Sequence, residues 1–508
     1  MPTYLSPGVY VEEVSSGSRP IEGVGTAVAG FVGFAERGPV HQPTLVTNWT
    51  QFTKAFGGFI DGAYLPHAVY GYFLNGGGSA YIVRLPGGDG ERVALCAGAE
   101  IPAAEPESKA SLSVRALAAG TGGNALVVTV EEATQKSPDA FKIEVQRNGK
   151  TEETFDNLTV RRGPANVLGV LAKQSKLIEL VAAKDGRLPM PKTGTRIQLA
   201  GGNQPKPVDS KDYIGDTGDR TGFSGLEAVE EVTMLCVPDL MSAYQRGLVD
   251  DDGLKAVQLA MIAHCELMAD RVAVLDPPPG LGAQRAAEWR TELAGYDSKY
   301  AALYWPWLRI MDPLSGAPVI VPPSGHLAGV WARNDDTRGV HKAPANEVLR
   351  GVIAPETMIT KGEQDLLNPI GVNCIRAFPG QGIRVWGART LASDPLWRYV
   401  NVRRLFNFVE KSILLGTNWV VFEPNDEYLW ESVSRTITMF LRQVWRSGAL
   451  IGRTPTEAFY VKCDGENNPP ESRDAGTLFV EIGIAPVKPA EFVVFRISQF
   501  AQGAALEE

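Results

Sequence analysis

Two stretches of this chain, roughly 20–90 and from about 230 onward, alternate short apolar runs with segments of helical periodicity, and no other feature restricts the fold as much. In the later stretch Val232 to Val237 reads as a strand, and Asp250-Asp251-Asp252 opens a helix whose apolar positions Leu254, Val257, Met261, Ile262 and Cys265 recur at helical spacing. Arg271 to Leu275, Ala301 to Ile310 and Val319 to Val321 read as further strands, with a helix over Ala283 to Ala294. In the earlier stretch Thr26 to Phe34 reads as a buried strand, and Asn48 caps a short helix that stops at Gly57-Gly58. A helix from Pro66 to Leu74 follows, then a strand from Ala80 to Leu85. Alternation of this kind favours a largely parallel sheet covered by helices.

Between the two stretches the texture changes. An Ala/Pro/Glu-rich segment, Ala97 to Glu107, leads into short alternating runs such as Leu126 to Val130 and Phe141 to Val145, and Asn148-Gly149 supplies a tight hairpin turn. This is an inserted, mainly β domain, closed by a return linker from Gly201-Gly202 to Gly225. The chain ends pose a separate problem. Val9 to Val14 and Glu491 to Phe500 both have strand character, and neither has a partner nearby in the sequence. An unpaired terminal strand invites edge-to-edge association, so its pairing must be specified, within the chain or with a neighbour.

At 508 residues two to four domains are expected from a prior of roughly 100 to 200 residues each. The net charge of −9 excludes a nucleic-acid surface over the whole molecule. Five cysteines, Cys96, Cys236, Cys265, Cys374 and Cys463, are widely spaced without a CxxC pair, so they read as thiols of a reducing cytoplasm. No Sec-type leader and no uninterrupted apolar stretch of membrane-spanning length is found, so synthesis and folding in the cytosol are expected.

Enzymatic readings are weak. Asp239, Asp276 and Asp312 each follow a strand, and clustered strand-end carboxylates could hold Mg²⁺ in a hydrolase or phosphotransferase. Asp beside Pro also starts turns and caps helices, which is the favoured reading. Gly120-Thr121-Gly122-Gly123-Asn124-Ala125 fits a dinucleotide fingerprint in form, but a strand rather than a helix follows it. There is no GxxxxGK[ST] loop, no GxSxG elbow and no catalytic arrangement among the five histidines.

The last third carries more. Asp394-Pro395 begins an amphipathic helix through Ile413, Trp419 to Phe422 reads as a strand, and a second long helix runs to about Ser447. With Trp331-Ala332-Arg333-Asn334-Asp335, Arg338 to Asn346, Trp386 to Asn425, Phe459 to Asp464 and the N-terminal Ser6 to Glu13, these residues resemble the contractile tail sheath family of phages, R-type pyocins and extracellular injection systems.

The resemblance implies an architecture and a set of partners. It implies an N-terminal arm (1–20), an α/β core split into 21–95 and 226–345 by an inserted mainly β domain (96–225) on the outer surface, an α+β C-terminal sheath domain (346–488) and a C-terminal arm (489–508). The expected partners are other copies in stacked rings, an inner tube, a baseplate and a cap or terminator, with no cofactor and no metal. Assembly is expected in the bacterial cytoplasm as part of a phage tail-like particle. Strand exchange between subunits would use Val9, Tyr10 and Val11 together with Val493, Val494, Phe495 and Ile497, received by Thr477 to Ile482 with Leu478, Val480 and Ile482 as pairing positions. A basic face of Arg435, Arg442 and Arg446, or of Arg398, Arg403 and Arg404 on the preceding helix, would grip the tube.

Overall fold

A computed structural model describes residues 20–86, 96–104, 112–119, 121–135, 137, 139–147, 149–181, 188–202 and 209–495. The chain enters through β1 (Val28–Gly33) and β2 (Thr44–Val46), passes helices α1 (Trp49–Phe56) and α2 (Leu65–Leu74), and returns in β3 (Ser79–Arg84). Asn48 caps α1 as its sequence indicates, its side chain accepting from the Gln51 amide at 2.9 Å.

The middle of the chain forms seven strands: β4 (Cys96–Ile101), β5 (Leu112–Ala119), β6 (Leu126–Glu132), β7 (Ala140–Arg147), β8 (Lys150–Thr159), β9 (Ile178–Val181) and β10 (Thr195–Gln198), with helix α3 (Val167–Gln174) between β8 and β9. They make a four-stranded sheet, β10-β6-β7-β8, and a three-stranded one, β4-β5-β9. Phe141, Ile143, Val145, Val128, Val130 and Leu112 alternate inward and share one apolar core. Gly120 itself lies outside the described residues; after it a single 3-10 turn, Thr121–Ala125, runs straight into β6, so no helix opens on the glycines.

The α/β pattern then resumes with β11 (Met234–Cys236), α4 (Asp239–Gln245), α5 (Asp251–Met268), β12 (Val272–Leu275), α6 (Ala283–Glu288), β13 (Ala301–Trp305), β14 (Leu308–Met311), β15 (Pro318–Val321), α7 (Ser324–Arg338), β16 (Glu347–Val348), β17 (Val352–Pro355), α8 (Lys361–Leu367), β18 (Val372–Phe378) and β19 (Gly382–Val385). A nine-stranded sheet in the order β16-β19-β18-β13-β12-β11-β1-β3-β2 draws on both α/β stretches. Its central pairs, β3·β1, β1·β11, β11·β12, β12·β13 and β13·β18, are all parallel. Strands from before and after the β insertion therefore lie side by side.

Two expectations change. The nine-stranded sheet does not stop at 345: β18 pairs with β13 (Leu303 beside Val372), and β19 and β16 extend it. The single strand expected over Ala301 to Ile310 is two, since Pro306 has no N–H to continue a ladder; β14 joins β15 and β17 in a small antiparallel sheet instead.

Helices α2 and α7 cover one face together, and glycine sets how closely they pack. A Cβ placed on Gly325 would lie 2.4 Å from the Ala68 Cα, and one on Gly329 would lie 2.4 Å from the Tyr72 carbonyl oxygen, so only a hydrogen fits at either position. Beyond the sheet come helices α9 (Val400–Gly416) and α10 (Glu427–Arg446), then a two-stranded ribbon of β20 (Phe459–Lys462) and β21 (Glu481–Ile484).

Candidate functional site

Helix α10 is built to bury one face. Leu429, Trp430, Val433, Ile437, Phe440, Leu441 and Val444 recur at three- and four-residue intervals and pack with Leu405 and Val409 of α9. Asp426 caps its N-terminus, accepting from the Leu429 amide at 2.9 Å. The opposite face exposes Glu431, Arg435, Met439, Arg442 and Arg446. None of these three arginines has a hydrogen-bond or ion-pair partner among the described residues.

The companion set on α9 does not form such a face. Arg403 and Arg404 are 2% and 4% exposed. The Arg403 guanidinium lies 4.7 Å from the Tyr300 ring centre and 4.6 Å from that of Trp397, and it donates to Asn407 at 2.7 Å and Glu410 at 2.8 Å. Arg404 makes a two-pronged pair with Asp335 at 2.9 and 2.6 Å, donates to the Thr26 carbonyl at 2.9 Å and lies over the Trp331 ring. Both charges are consumed internally. Arg398 is half-buried ahead of the helix. These residues were expected to decorate the surface of the helix, and contacts with Tyr300 and Trp397 for Arg403 and with Asp335, Thr26 and Trp331 for Arg404 hold two of them inside.

The connection between α9 and α10 also departs from expectation. Trp419 to Phe422 is no strand: Asn418–Val420 is a 3-10 turn, and Phe422 stands fully exposed with φ of 70°. A bulky aromatic in the left-handed region is unusual backbone.

The ribbon meets the expected receiving strand only in part. Ile482 pairs with Val461, while Leu478 and Val480 precede β21 and pack half-buried on the α9–α10 core. Asn468 fixes their approach, donating to the Phe479 carbonyl at 3.0 Å and accepting from its amide at 2.7 Å. Among the described residues neither outer edge of the ribbon carries a further strand. Two-stranded ribbons are marginal alone, so this one depends on the core beneath it and on whatever adds to its edges.

The C-terminal segment leaves the body at Glu491. Arg389 grips that carboxylate at 2.8 and 2.6 Å, and Asn368 and Tyr399 donate to it at 2.9 and 3.0 Å. Burial alone would raise the Glu491 pKa, but these hydrogen bonds and the guanidinium charge outweigh it and hold the carboxyl below its usual range. Immediately beyond, Phe492, Val493, Val494 and Phe495 are 74%, 68%, 78% and 84% exposed and pair with no strand among the described residues. Val9, Tyr10, Val11 and Ile497 lie outside the described residues. Sequence reading missed the Glu491 anchor and the Arg404–Asp335 pair, because both join residues far apart in the chain.

The three strand-end aspartates serve the fold. Asp239, fully buried, accepts from the Phe34 amide at 2.7 Å, the Leu65 amide at 3.1 Å and the Tyr64 amide. Asp276, also buried, accepts from the Ser324 amide and hydroxyl at 2.8 and 2.6 Å. Asp312 holds a turn through Leu314 and Ser315. Each spends its oxygens on different neighbours, and no group of three His, Cys, Asp or Glu among the described residues is placed to hold a metal.

Burial raises the Asp276 carboxyl to about 7, against the opposing Ser324 hydrogen bonds. A folded-state pKa raised above the unfolded one near 4 gives a contribution fully present below pH 4 and lost as pH rises through 7. Replacing Asp276→Asn should remove that dependence. Thermal melts of the two proteins should show the wild type losing ground to the variant between about pH 4 and 7, on the order of 1.4 kcal/mol per pH unit at most. A gap that stays constant with pH would contradict this origin.

The comparisons with known proteins point one way. The family model of the phage tail sheath protein central domain matches residues 217–391, and that of the phage tail sheath C-terminal domain matches 392–500, together more than half of the chain. Their junction falls between β19 and α9, where the nine-stranded sheet ends. The tail sheath protein of Burkholderia phage BcepMu is 25% identical over 509 residues, covering 96% of this chain and 95% of its own. That of Escherichia phage P2 is 23% identical over 292 residues, 55% of this chain and 68% of its own. Among solved structures, the contracted sheath of the extracellular contractile injection system PVC superposes with a TM-score of 0.60 at 24% identity, covering 98% of this chain and 99% of the other. The contracted helical sheath of the anti-feeding prophage gives 0.58 at 24% identity, over 98% and 100%. With both sheath domains matched in order and a phage sheath protein aligned along nearly its whole length, the chain belongs to the phage tail sheath family.

Proposed function

We propose that this chain is the repeating structural subunit of a contractile sheath, polymerising helically around an inner tube between a baseplate and a cap or terminator, and shortening to drive that tube through a target envelope. One feature carries the reading beyond family membership: a two-stranded ribbon with open edges, close in sequence to an exposed apolar segment that is anchored at its root and unpaired beyond it. Strand addition between chains joins such parts, main-chain bonds supplying affinity and alternate side chains the register. Contacts of this head-to-tail kind do not close and so propagate a tube.

In this reading Val493, Val494, Phe495 and Ile497 of one copy, and Val9, Tyr10 and Val11 of another, add to the β20–β21 ribbon of a third. Contraction draws on contacts made as globular bodies repack, a rigid-body transition, and needs no catalytic site or cofactor. The inserted β domain faces outward. Assembly takes place in the bacterial cytoplasm, and the product is a phage tail or tail-like particle. Among the described residues no helix is long and apolar enough to cross a membrane.

The tube contact falls to Arg435, Arg442 and Arg446, exposed and unpaired on a chain of net charge −9. Such contacts are screened and reversible, which suits a grip that must release. Co-expression with the tube protein should give long hollow striated particles by negative-stain electron microscopy; small monodisperse oligomers alone would overturn the reading. The Arg442→Glu, Arg446→Glu double variant should still fold and decorate tubes at least tenfold less, each exposed pair being worth up to about 1 kcal/mol before repulsion is added. Undiminished decoration would remove these arginines from the tube contact.

A further inference from the structure

We infer that adjacent copies of this chain lock through an apolar knob on the α9–α10 connection of one copy seated in a socket beside β14 and β17 of the next. This rests on the reading of the chain as a sheath subunit. The knob is Leu414, Val421, Phe422 and Tyr428, which are 65%, 63%, 102% and 78% exposed. Val421 and Phe422 lie in the connection itself, with Leu414 in the last turn of α9 and Tyr428 in the first turn of α10. Large exposed apolar side chains are costly to leave in water, and aromatic anchors of this kind carry much of the energy of protein interfaces. Phe422 touches nothing in its own subunit, so its backbone conformation at φ 70° serves no internal packing.

The socket is a cleft of about 440 Å³ lined by Leu74, Met311, Pro313, Val352 and Ile353, with His326 also in its wall. About 150 Å³ is enough to hold a benzene ring, so a phenylalanine and a neighbouring aliphatic chain fit together. Leu74, Met311 and Ile353 are 38%, 49% and 50% exposed on its rim, and Leu314 beside it is 74% exposed. His326 is 1% exposed and its Nδ1 has no partner among the described residues, a buried polar atom left open in a wall that also includes Tyr70.

Charge selects which surface enters. The knob is flanked by exposed Glu423 and Glu427, neither of them in an ion pair among the described residues. The socket is flanked by exposed Arg309 and Arg350, which likewise have no ion-pair partner there. Of the nearby acids, Asp312 stays charged, its carboxyl held below the usual range by the Ser315 and Leu314 hydrogen bonds and 3.5 Å from His67. Glu356 is half-buried with its carboxyl pushed up by burial, so the two exposed guanidiniums leave the rim basic. Acidic knob and basic socket attract each other and repel their own kind, which favours a second copy and fixes its orientation. The two surfaces lie on different parts of the chain, so the contact is heterologous and repeats along a polymer.

Cysteine cross-linking decides the matter. In assembled sheaths, extended or contracted, the Phe422→Cys, Ile353→Cys double variant should give on mild oxidation a ladder of covalent multimers on a non-reducing denaturing gel, and neither single variant should. The Phe422→Asp variant should raise the subunit concentration needed for polymerisation at least tenfold while leaving the melting temperature of the isolated subunit unchanged. Normal polymers without a ladder in either state, a ladder from Phe422→Cys alone, or Phe422→Asp assembling like wild type would overturn the knob and socket while leaving the sheath reading in place. Absence of polymers from the wild type with its tube would remove both.

Discussion

Replacing Arg404 by alanine should destabilise the joint between the α/β unit and the C-terminal helices by about 3–5 kcal/mol, because it strands the carboxylate of Asp335 without its cation in a site where both side chains are under 5% exposed. Three chain segments meet there. Thr26 leads into β1, Asp335 lies on α7 and Arg404 on α9, and Thr26 donates its hydroxyl to Asp335 at 2.6 Å while its carbonyl accepts from Arg404. Urea unfolding followed by intrinsic fluorescence, with limited proteolysis around residues 391–400, would show the joint loosening first. The paired substitution Arg404→Met with Asp335→Leu should recover most of the loss, since a buried ion pair is often no more stabilising than apolar groups of similar volume. An Arg404→Ala protein with an unchanged midpoint would mean that the three segments are held by packing alone.

Removing residues 1–14 should abolish sheath formation while leaving a folded subunit with an unchanged far-ultraviolet spectrum and melting temperature. Each main-chain hydrogen bond between copies contributes roughly 0.5–1.5 kcal/mol net, so a six-residue strand such as Val9 to Val14 is worth several kcal/mol per joint. That quantity recurs at every subunit of the polymer. A graded version is Val11→Pro, which deletes one donor and stiffens the chain at mid-strand, and should shorten or weaken sheaths rather than eliminate them. Sheaths of normal length from the truncated protein would end the strand-exchange proposal for this arm.

The core was legible in the sequence wherever a residue's partner followed from periodicity. β1, β11 and β12 are almost continuous apolar runs because they are buried on both faces, and α5 shows its helical spacing because only one side of it is covered. The insertion was visible as a change from period 3.6 to period 2. Legibility failed where a residue answers to something outside its own neighbourhood. Trp419 to Phe422 looks like a strand because it is apolar, yet Trp419 and Val420 pack half-buried on the α9–α10 core while Val421 and Phe422 turn to the surface. Arg403 and Arg404 look like solvated positions because the aromatic rings that cover them, Tyr300 and Trp397 for Arg403 and Trp331 for Arg404, and the Asp335 carboxylate of Arg404 lie outside α9. The membership of β18 in the nine-stranded sheet was invisible in the sequence, because only its pairing with β13 assigns it there.

The grip of Arg389 on Glu491 decides where a pull would be felt. If neighbouring subunits travel relative to one another while their arms stay joined, tension enters each body along residues 492 onward. It meets the Glu491 carboxylate before it can reach β21, which ends seven residues earlier. From there the strain passes through the guanidinium to the Asn368 carbonyl, and through the Arg389 backbone to Asn373 on β18 of the nine-stranded sheet. Pull on a subunit's own C-terminal arm thereby bypasses its two-stranded ribbon and is taken up by the sheet, which leaves the ribbon to carry only the pull of the arms it receives from other copies.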